Sequence, residues 1–333
     1  MHVADLTDVM KYDCVFLSPH LDDISLSCPA RVLEEIATGK KVLIATLFSH
    51  PGPMDVGKFK AADYASRREE DRKAAEVLHA DTLHAGMLDA PFRSEQYQRF
   101  TGLMFKRDAN HAQSMMQAAD YIARLVERAK PDTLFVPLGV GWHIDHRLVR
   151  EAAMVGVSNY KWRTLENKNV EPLTPEIRAH ADKTMPRTMF YEDRPYAFVQ
   201  EAVRLRLAEL GYSADAHDLP LLDADEFRKS FIDSFMQAPY VKRSMQPDEN
   251  EFCLRHLNSH LTRGSVQQAP QAVADVRLYD RITFATVRRT VAEYRSQIEP
   301  LFGDLDAWQR QTYEYSRRLG FESDYVERYW HLP

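Results

Sequence analysis

The sequence of 333 residues predicts an α/β fold: a Rossmann-like, doubly wound, mostly parallel sheet with helices on both faces and a largely helical C-terminal extension. Three observations carry this reading. Short, continuous apolar runs such as Cys14–Ser18 have the pattern of strands buried on both faces. Longer stretches such as 112–129 place Ala118, Ile122, Leu125 and Val126 at helical spacing. The two kinds of segment alternate through the first half of the chain, which is the order of right-handed βαβ crossovers.

In chain order, strand Cys14–Ser18 enters a polar turn. Residues 26–38 then read as a helix with Leu26, Val32, Leu33 and Ile36 on its apolar side, ended by Gly39. Residues 42–48 form a second strand, rich in β-branched side chains. The Pro51-Gly52-Pro53 turn follows, then a charged helix over 67–80 and a short strand over 82–85. A helix over 112–129, a strand over 133–138 and a helix over 145–157 complete the alternation. Beyond this point 159–184 reads as a polar loop, 187–191 as a strand, and 198–210, 223–236 and 284–298 as helices. Residues 264–271, with their glutamines and Pro270, read as an exposed loop. The expected division is a core over 1–200 and a mainly helical extension over 201–333.

Composition narrows the class. At 44% hydrophobic residues the chain can bury a large core. It contains no run of about 18 apolar residues, so no membrane-spanning helix is expected. Residues 1–10 lack a basic-then-apolar pattern, so a signal peptide is not expected. Three cysteines without a CxxC pair read as reduced thiols of a cytoplasmic protein. The formal net charge of −6 argues against nucleic acid as the main partner.

Ligands of doubly wound sheets bind beyond the carboxyl ends of the strands. Two polar turns fall there. Pro19-His20-Leu21-Asp22-Asp23 follows the strand at 14–18, and Gly141-Trp142-His143-Ile144-Asp145-His146 follows the strand at 133–138. His20 and Asp23 are three apart at a helix start and can share a metal ion, with His146 completing a two-histidine, one-carboxylate set. Asp22 is then free to take a proton from metal-bound water, and His143 to give one to a leaving nitrogen. Asp145 can orient a histidine through its other ring nitrogen. This is the equipment of metal-assisted hydrolysis.

The two turns resemble the marks of the PIG-L/LmbE-type superfamily of zinc-dependent N-acetylglucosaminyl deacetylases. The segment His20-Leu21-Asp22-Asp23-Ile24 is similar to that family's His-Pro-Asp-Asp-Glu, and His143-Ile144-Asp145-His146 to its His-x-Asp-His. Arg67-Arg68-Glu69-Glu70-Asp71 resembles the family's arginine–glutamate helix, and Leu88-Asp89-Ala90 its acidic turn. Segments 190–196, 294–297 and 327–330 resemble parts of larger bacterial members. The resemblance implies Zn2+ on His20, Asp23 and His146, with Asp22 as general base. It implies His143, tuned by Asp145, as acid or oxyanion stabiliser. Arg67, Arg68 and Asp89 become substrate contacts by the same likeness. The expected reaction removes an N-acyl group, acetyl first, from an amino sugar or related small polar amide.

Departures from the family pattern lie at Leu21, Ile24 and Cys28-Pro29-Ala30, the last bordering the expected pocket. They leave room for a non-sugar amide, such as a thiol conjugate or a secondary metabolite. Trp142 either stacks on a sugar ring or packs under its loop. The ligand set also suits Fe2+, as in an oxygenase, but such sites usually sit on all-β folds. A nucleotide-binding reading lacks the GxGxxG turn after the first strand, and an idle metal-binding module remains a third alternative. The expected partner is a small N-acylated molecule; a homo-oligomer is compatible with all of this. His256 and His260, without the glutamate of an HExxH helix, read as a surface pair.

Overall fold

The structure is a computed structural model that describes residues 1–166, 185–214, 224–261, 269–322 and 324–333. The chain enters its sheet with β1 (His2–Val3), then forms β2 (Cys14–Ser18) and β3 (Val42–Thr46), whose side chains are all buried. β4 (Asp81–His84), β5 (Thr133–Pro137) and β6 (Arg187–Tyr191) follow. The C-terminal part returns to the sheet twice, with β7 (Val273–Tyr279) and β8 (Tyr325–His331). The order across the sheet is β1-β4-β3-β2-β5-β6-β8-β7. β1 to β6 are mutually parallel, while β8 runs antiparallel to β6 and β7 antiparallel to β8.

The chain winds outward from β2 in one direction through β3 and β4. It then crosses to the other side for β5 and β6. The carboxyl ends of β2 and β5 therefore flank the point where the winding reverses, where α/β sheets leave a crevice.

Helices cover both faces. The expected 26–38 helix is two, α1 (Asp23–Ser27) and α2 (Pro29–Ala37), because Pro29 sits at the start of a new helix and cannot continue the old one. α3 (Asp63–Leu78) begins a turn earlier than its charge run suggests. Two short helices, α4 (Ala90–Arg93) and α5 (Phe100–Phe105), precede α6 (His111–Ala129) and α7 (Ile144–Glu166). Gly156 lets α7 close on α6: a Cβ there would lie 2.7 Å from the Ala119 carbonyl oxygen. α7 runs through to Glu166, into the stretch expected to loop; 167–184 lie outside the described residues.

The later helices are α8 (Ala202–Glu209), α9 (Ala224–Gln237), α10 (Pro239–Ser244), α11 (Asn250–Leu261), α12 (Arg281–Ala292), α13 (Arg295–Phe302) and α14 (Leu305–Arg318). The single helix expected over 284–298 breaks at Tyr294. Most of the loop expected over 264–271 lies outside the described residues. Among those described, no helix is long and apolar enough to cross a membrane.

The C-terminal part is helical with two strands added, and it does not stand apart from the core. Glu327 on β8 is fully buried and accepts the N–H groups of Ala30 (2.8 Å) and Arg31 (2.9 Å) at the start of α2. A carboxylate there satisfies two of the amides that every helix start leaves open and complements the helix dipole. A boundary at residue 200 thus cuts through one continuous sheet.

Candidate active site

β2 ends on Ser18, and the next residues turn sharply into α1. The His20 amide donates to Asp23 Oδ2 at 2.6 Å, which folds the turn back on itself and brings both side chains to one side. His20 Nδ1 lies 3.3 Å from Asp23 Oδ2, and His146 Nε2 lies 3.4 Å from Asp23 Oδ1. Donors at about 2.0–2.2 Å from a tetrahedral ion are themselves roughly 3.3–3.6 Å apart. Each spacing is of that order, and the two run to different oxygens of Asp23. All three side chains are buried.

The turn after β5 is held in an unusual conformation. Gly139, Gly141 and Trp142 all have positive φ, of 77°, 80° and 67°. Glycine accepts this freely, but a tryptophan does so only when its surroundings compel it. The Trp142 indole is buried between Phe105, Phe231 and Phe235, and its N–H donates to Glu209 at 2.5 Å. It anchors the loop from behind and does not line the cleft, so of its two expected uses packing is the one observed. Gly141 itself is required: a Cβ there would lie 2.4 Å from Tyr196 Cβ.

That loop delivers His143 just before α7 and His146 in its first turn. His146 Nδ1 is 2.7 Å from Asp193 Oδ1, and Asp193 Oδ2 accepts the amides of Gly139 (2.8 Å) and Val140 (2.9 Å). Asp193 therefore grips the loop and the ring together and leaves Nε2 facing Asp23. Second carboxylates of this kind set the tautomer and basicity of a metal-binding imidazole. His143 Nδ1 accepts the Asp145 amide at 3.3 Å, so its proton sits on Nε2. Burial, then the neighbouring His20 and His146, push the His143 imidazole down to about 3, and it is neutral at neutral pH.

The geometry corrects the expected part of Asp145. Its carboxylate does not meet the His143 ring. It lies 3.2 Å from His20 Nε2, accepts the Ala90 amide at 3.1 Å and pairs with Arg93. Burial works against its charge, but Arg93 and then His20 hold it well below the usual carboxylate range. Asp145 thus braces His20, as Asp193 braces His146.

Asp22 is buried beside this cluster, and among the described residues its carboxylate has no hydrogen bond; Arg67 lies 3.8 Å from it. Burial and then the Asp23 charge push its carboxyl up to about 6, against the pull of Arg67 and His20. Asp89 lies 3.6 Å from His20 Nε2, accepts the Tyr64 hydroxyl proton and is 3.8 Å from Arg67. It sits against the metal-type cluster and also lines the cleft. Arg67 spans Asp22 and Asp89 with its guanidinium over the Tyr64 ring, while Arg68 turns away and donates to the Ser49 carbonyl at 3.0 Å. The expected substrate contact at Arg68 is therefore a structural bond, made because neighbours on a helix face different ways.

Donor atoms of His20, His143 and His146 lie within 4.8 Å of one another, as do those of His20, Asp89 and Asp145. Five buried carboxylates, Asp22, Asp23, Asp89, Asp145 and Asp193, converge here with Arg67 and Arg93 as the nearby permanent cations. Burial alone would lower His20, but Asp89, Asp145 and Asp23 hold its imidazole well above its usual value. The site is built to favour positive charge, which suits a divalent ion. It opens into a cleft of about 430 Å³. His256, by contrast, packs its ring 4.5 Å from that of Phe105.

Sequence reasoning passed over Arg93 and the functional weight of Asp193. A carboxylate immediately after a strand, at the same sheet edge as the two turns, was the available signal for Asp193. Arg93 lies on a short helix with no motif to mark it.

Residues 15–157 match the family model of GlcNAc-PI de-N-acetylases, PIG-L. This part of the chain is similar to the PIG-L family. The match spans β2 through most of α7, so it contains both turns of the candidate site but not Asp193. The chain is 25% identical over 257 residues to 2'-N-acetylparomamine deacetylase of Streptomyces fradiae, covering 75% of this chain and 78% of that one. Among solved structures, it is similar in fold to teicoplanin deacetylase in a zinc-inhibited form (TM-score 0.58, 18% identity, 95% of this chain and 96% of that one). It is similar also to A40926 pseudoaglycone deacetylase (TM-score 0.57, 17% identity, 96% of each chain). The expected α/β architecture with its C-terminal addition is the fold of these deacetylase structures.

Proposed function

We propose that the protein is a zinc-dependent N-deacylase that removes an acetyl or similar acyl group from an amino sugar or a related small polar amide. The observation that carries this is Asp23 set 3.3 Å from His20 and 3.4 Å from His146, with a proton-accepting Asp22 alongside. Two imidazoles and one carboxylate with room for further ligands suit Zn2+, and would accept Fe2+. Such an ion supplies a Lewis acid for the scissile carbonyl and brings the pKa of bound water to roughly 7.

The chain's own residues supply the rest. Asp22, with its carboxyl raised to about 6, accepts the proton of the attacking water and returns it to the departing nitrogen. A group titrating near the working pH serves both steps. His143 donates from Nε2 to the carbonyl oxygen as negative charge develops there, which a neutral imidazole does without first losing its proton. Asp145 and Asp193 hold the two ligand histidines in place. Arg67, between Asp22 and Asp89, is the cation that faces the substrate. The products are a carboxylate and a free amine. The cleft volume suits a molecule of sugar or disaccharide size. The Streptomyces fradiae relative, a deacetylase of 2'-N-acetylparomamine, favours an amino-sugar substrate. Three buried free cysteines favour a reducing compartment such as the cytoplasm.

The test is metal analysis of gently purified protein, followed by acetate release from a panel that includes 2'-N-acetylparomamine, simpler N-acetylated amino sugars and N-acyl thiol conjugates. Release from the sugars with metal-loaded protein supports the reading. Release only from the thiol conjugates replaces the substrate class. Failure to bind a divalent ion overturns it.

A further inference from the structure

β7 ends the sheet. One edge of this seven-residue strand pairs with β8 along its whole length, from Val273 with His331 to Tyr279 with Tyr325. Among the described residues no strand pairs with its other edge. Its two faces differ. Asp275, Arg277 and Tyr279 point to α2, where Arg277 donates to Glu34 at 3.2 Å and the Tyr279 hydroxyl to Glu34 at 2.8 Å. Ala274, Val276 and Leu278 point the other way. Val276 is 39% exposed and Leu278 50%, and Ile282 just past the strand is 79% exposed. The register with β8 runs without a bulge, and neither lysine nor proline interrupts the strand. Its charged residues, Asp275 and Arg277, lie on the α2 face, so the opposite, apolar face carries none of the charges or prolines that protect an edge strand, and open backbone beside such a face recruits another strand.

We propose that β7 is a homodimer interface, in which two copies of this chain pair their β7 strands antiparallel about a two-fold axis through Val276. The strand's own sequence selects both partner and register. With Val276 opposite its own copy, Asp275 falls opposite Arg277 on each side of the axis, and Ala274 opposite Leu278. Asp275 and Arg277 side chains are 23% and 39% exposed, so each keeps its contacts within the chain and still reaches across. Moving the axis one residue back sets Asp275 against Asp275. Moving it one residue forward sets Arg277 against Arg277. Like charges directly opposite are destabilising, so the attractive register has a repulsive one on either side. On the other face the two Val276 side chains and two Ala274–Leu278 pairs make one continuous apolar ribbon. A β-edge partner of unrelated sequence gains neither the charge match nor the ribbon.

Sedimentation velocity of the full chain over a concentration series tests this. The wild type is expected to dimerise. Val276→Lys sets two ammonium groups at the axis and is expected to leave a monomer with unchanged circular dichroism. The three native cysteines are buried. Val276→Cys therefore adds the one accessible thiol, and on oxidation it should form a disulfide-linked dimer. Met154→Cys, 45% exposed on α7, should not. A wild type that stays monomeric throughout, a Val276→Lys variant that stays dimeric, or Val276→Cys cross-linking no faster than Met154→Cys would each overturn the proposal. If the lysine variant misfolds, the cysteine pair decides.

Discussion

Asp193 Oδ1 lies 2.7 Å from His146 Nδ1, while its other oxygen holds the amides of Gly139 and Val140. One carboxylate at the end of β6 thus fixes both the ring and the loop that presents it. Asp193→Asn is expected to weaken metal binding by about 10–100-fold with the fold intact. Chelator competition, read beside circular dichroism, measures this; unchanged affinity would show that His146 needs no such support.

Asp22 has the raised carboxyl, and among the described residues that carboxylate has no hydrogen-bond partner. In its proposed role as base it must be ionised, so kcat/KM should fall as pH drops through about 6. A bound cation favours the ionised form and moves that limb below 6, never above. Asp22→Asn should lower kcat by roughly 10²–10⁴-fold while metal content stays constant. The pH profile and metal stoichiometry, taken on the same sample, separate loss of the base from loss of the ion.

His143 is neutral and carries its proton on Nε2. His143→Ala should reduce kcat by about 10²–10³-fold, as loss of an oxyanion donor does, with little change in metal content. Steady-state kinetics on metal-loaded variant test it. A variant that no longer binds metal would instead make His143 a ligand.

Trp142 is buried behind its loop. Trp142→Ala should cost about 3–5 kcal/mol of stability, as large-to-small changes in a core do. The KM of the remaining folded enzyme should change little. A large rise in KM at near-wild-type melting temperature would mean that the indole reaches substrate after all.

Much of the candidate site is legible because its proposed ligands come from two turns that each follow an apolar strand. His20 and Asp23 are local neighbours, and His146 sits beyond the other strand that flanks the reversal of winding. Asp145 was harder to read. Its sequence neighbour is His143, yet the first turn of α7 points its carboxylate toward His20 and Arg93, more than 50 residues away in each case. β8 was missed for a related reason: Glu327 and Arg328 give Tyr325–His331 the look of a surface segment. Glu327 is nonetheless fully buried, because the start of α2 supplies its hydrogen bonds.

The sequence by itself determined the alternation of strands and helices, the parallel core and the two turns that carry His20, Asp23 and His146 to one cleft. Those are short-range properties, written in apolar periodicity and in side chains a few positions apart. Only the tertiary structure decided which carboxylate braces which histidine, that Arg67 rather than Arg68 faces the cleft, and that the C-terminal part closes the sheet. Those outcomes depend on which buried charge finds a partner across the fold, and that pairing leaves no local pattern in the chain.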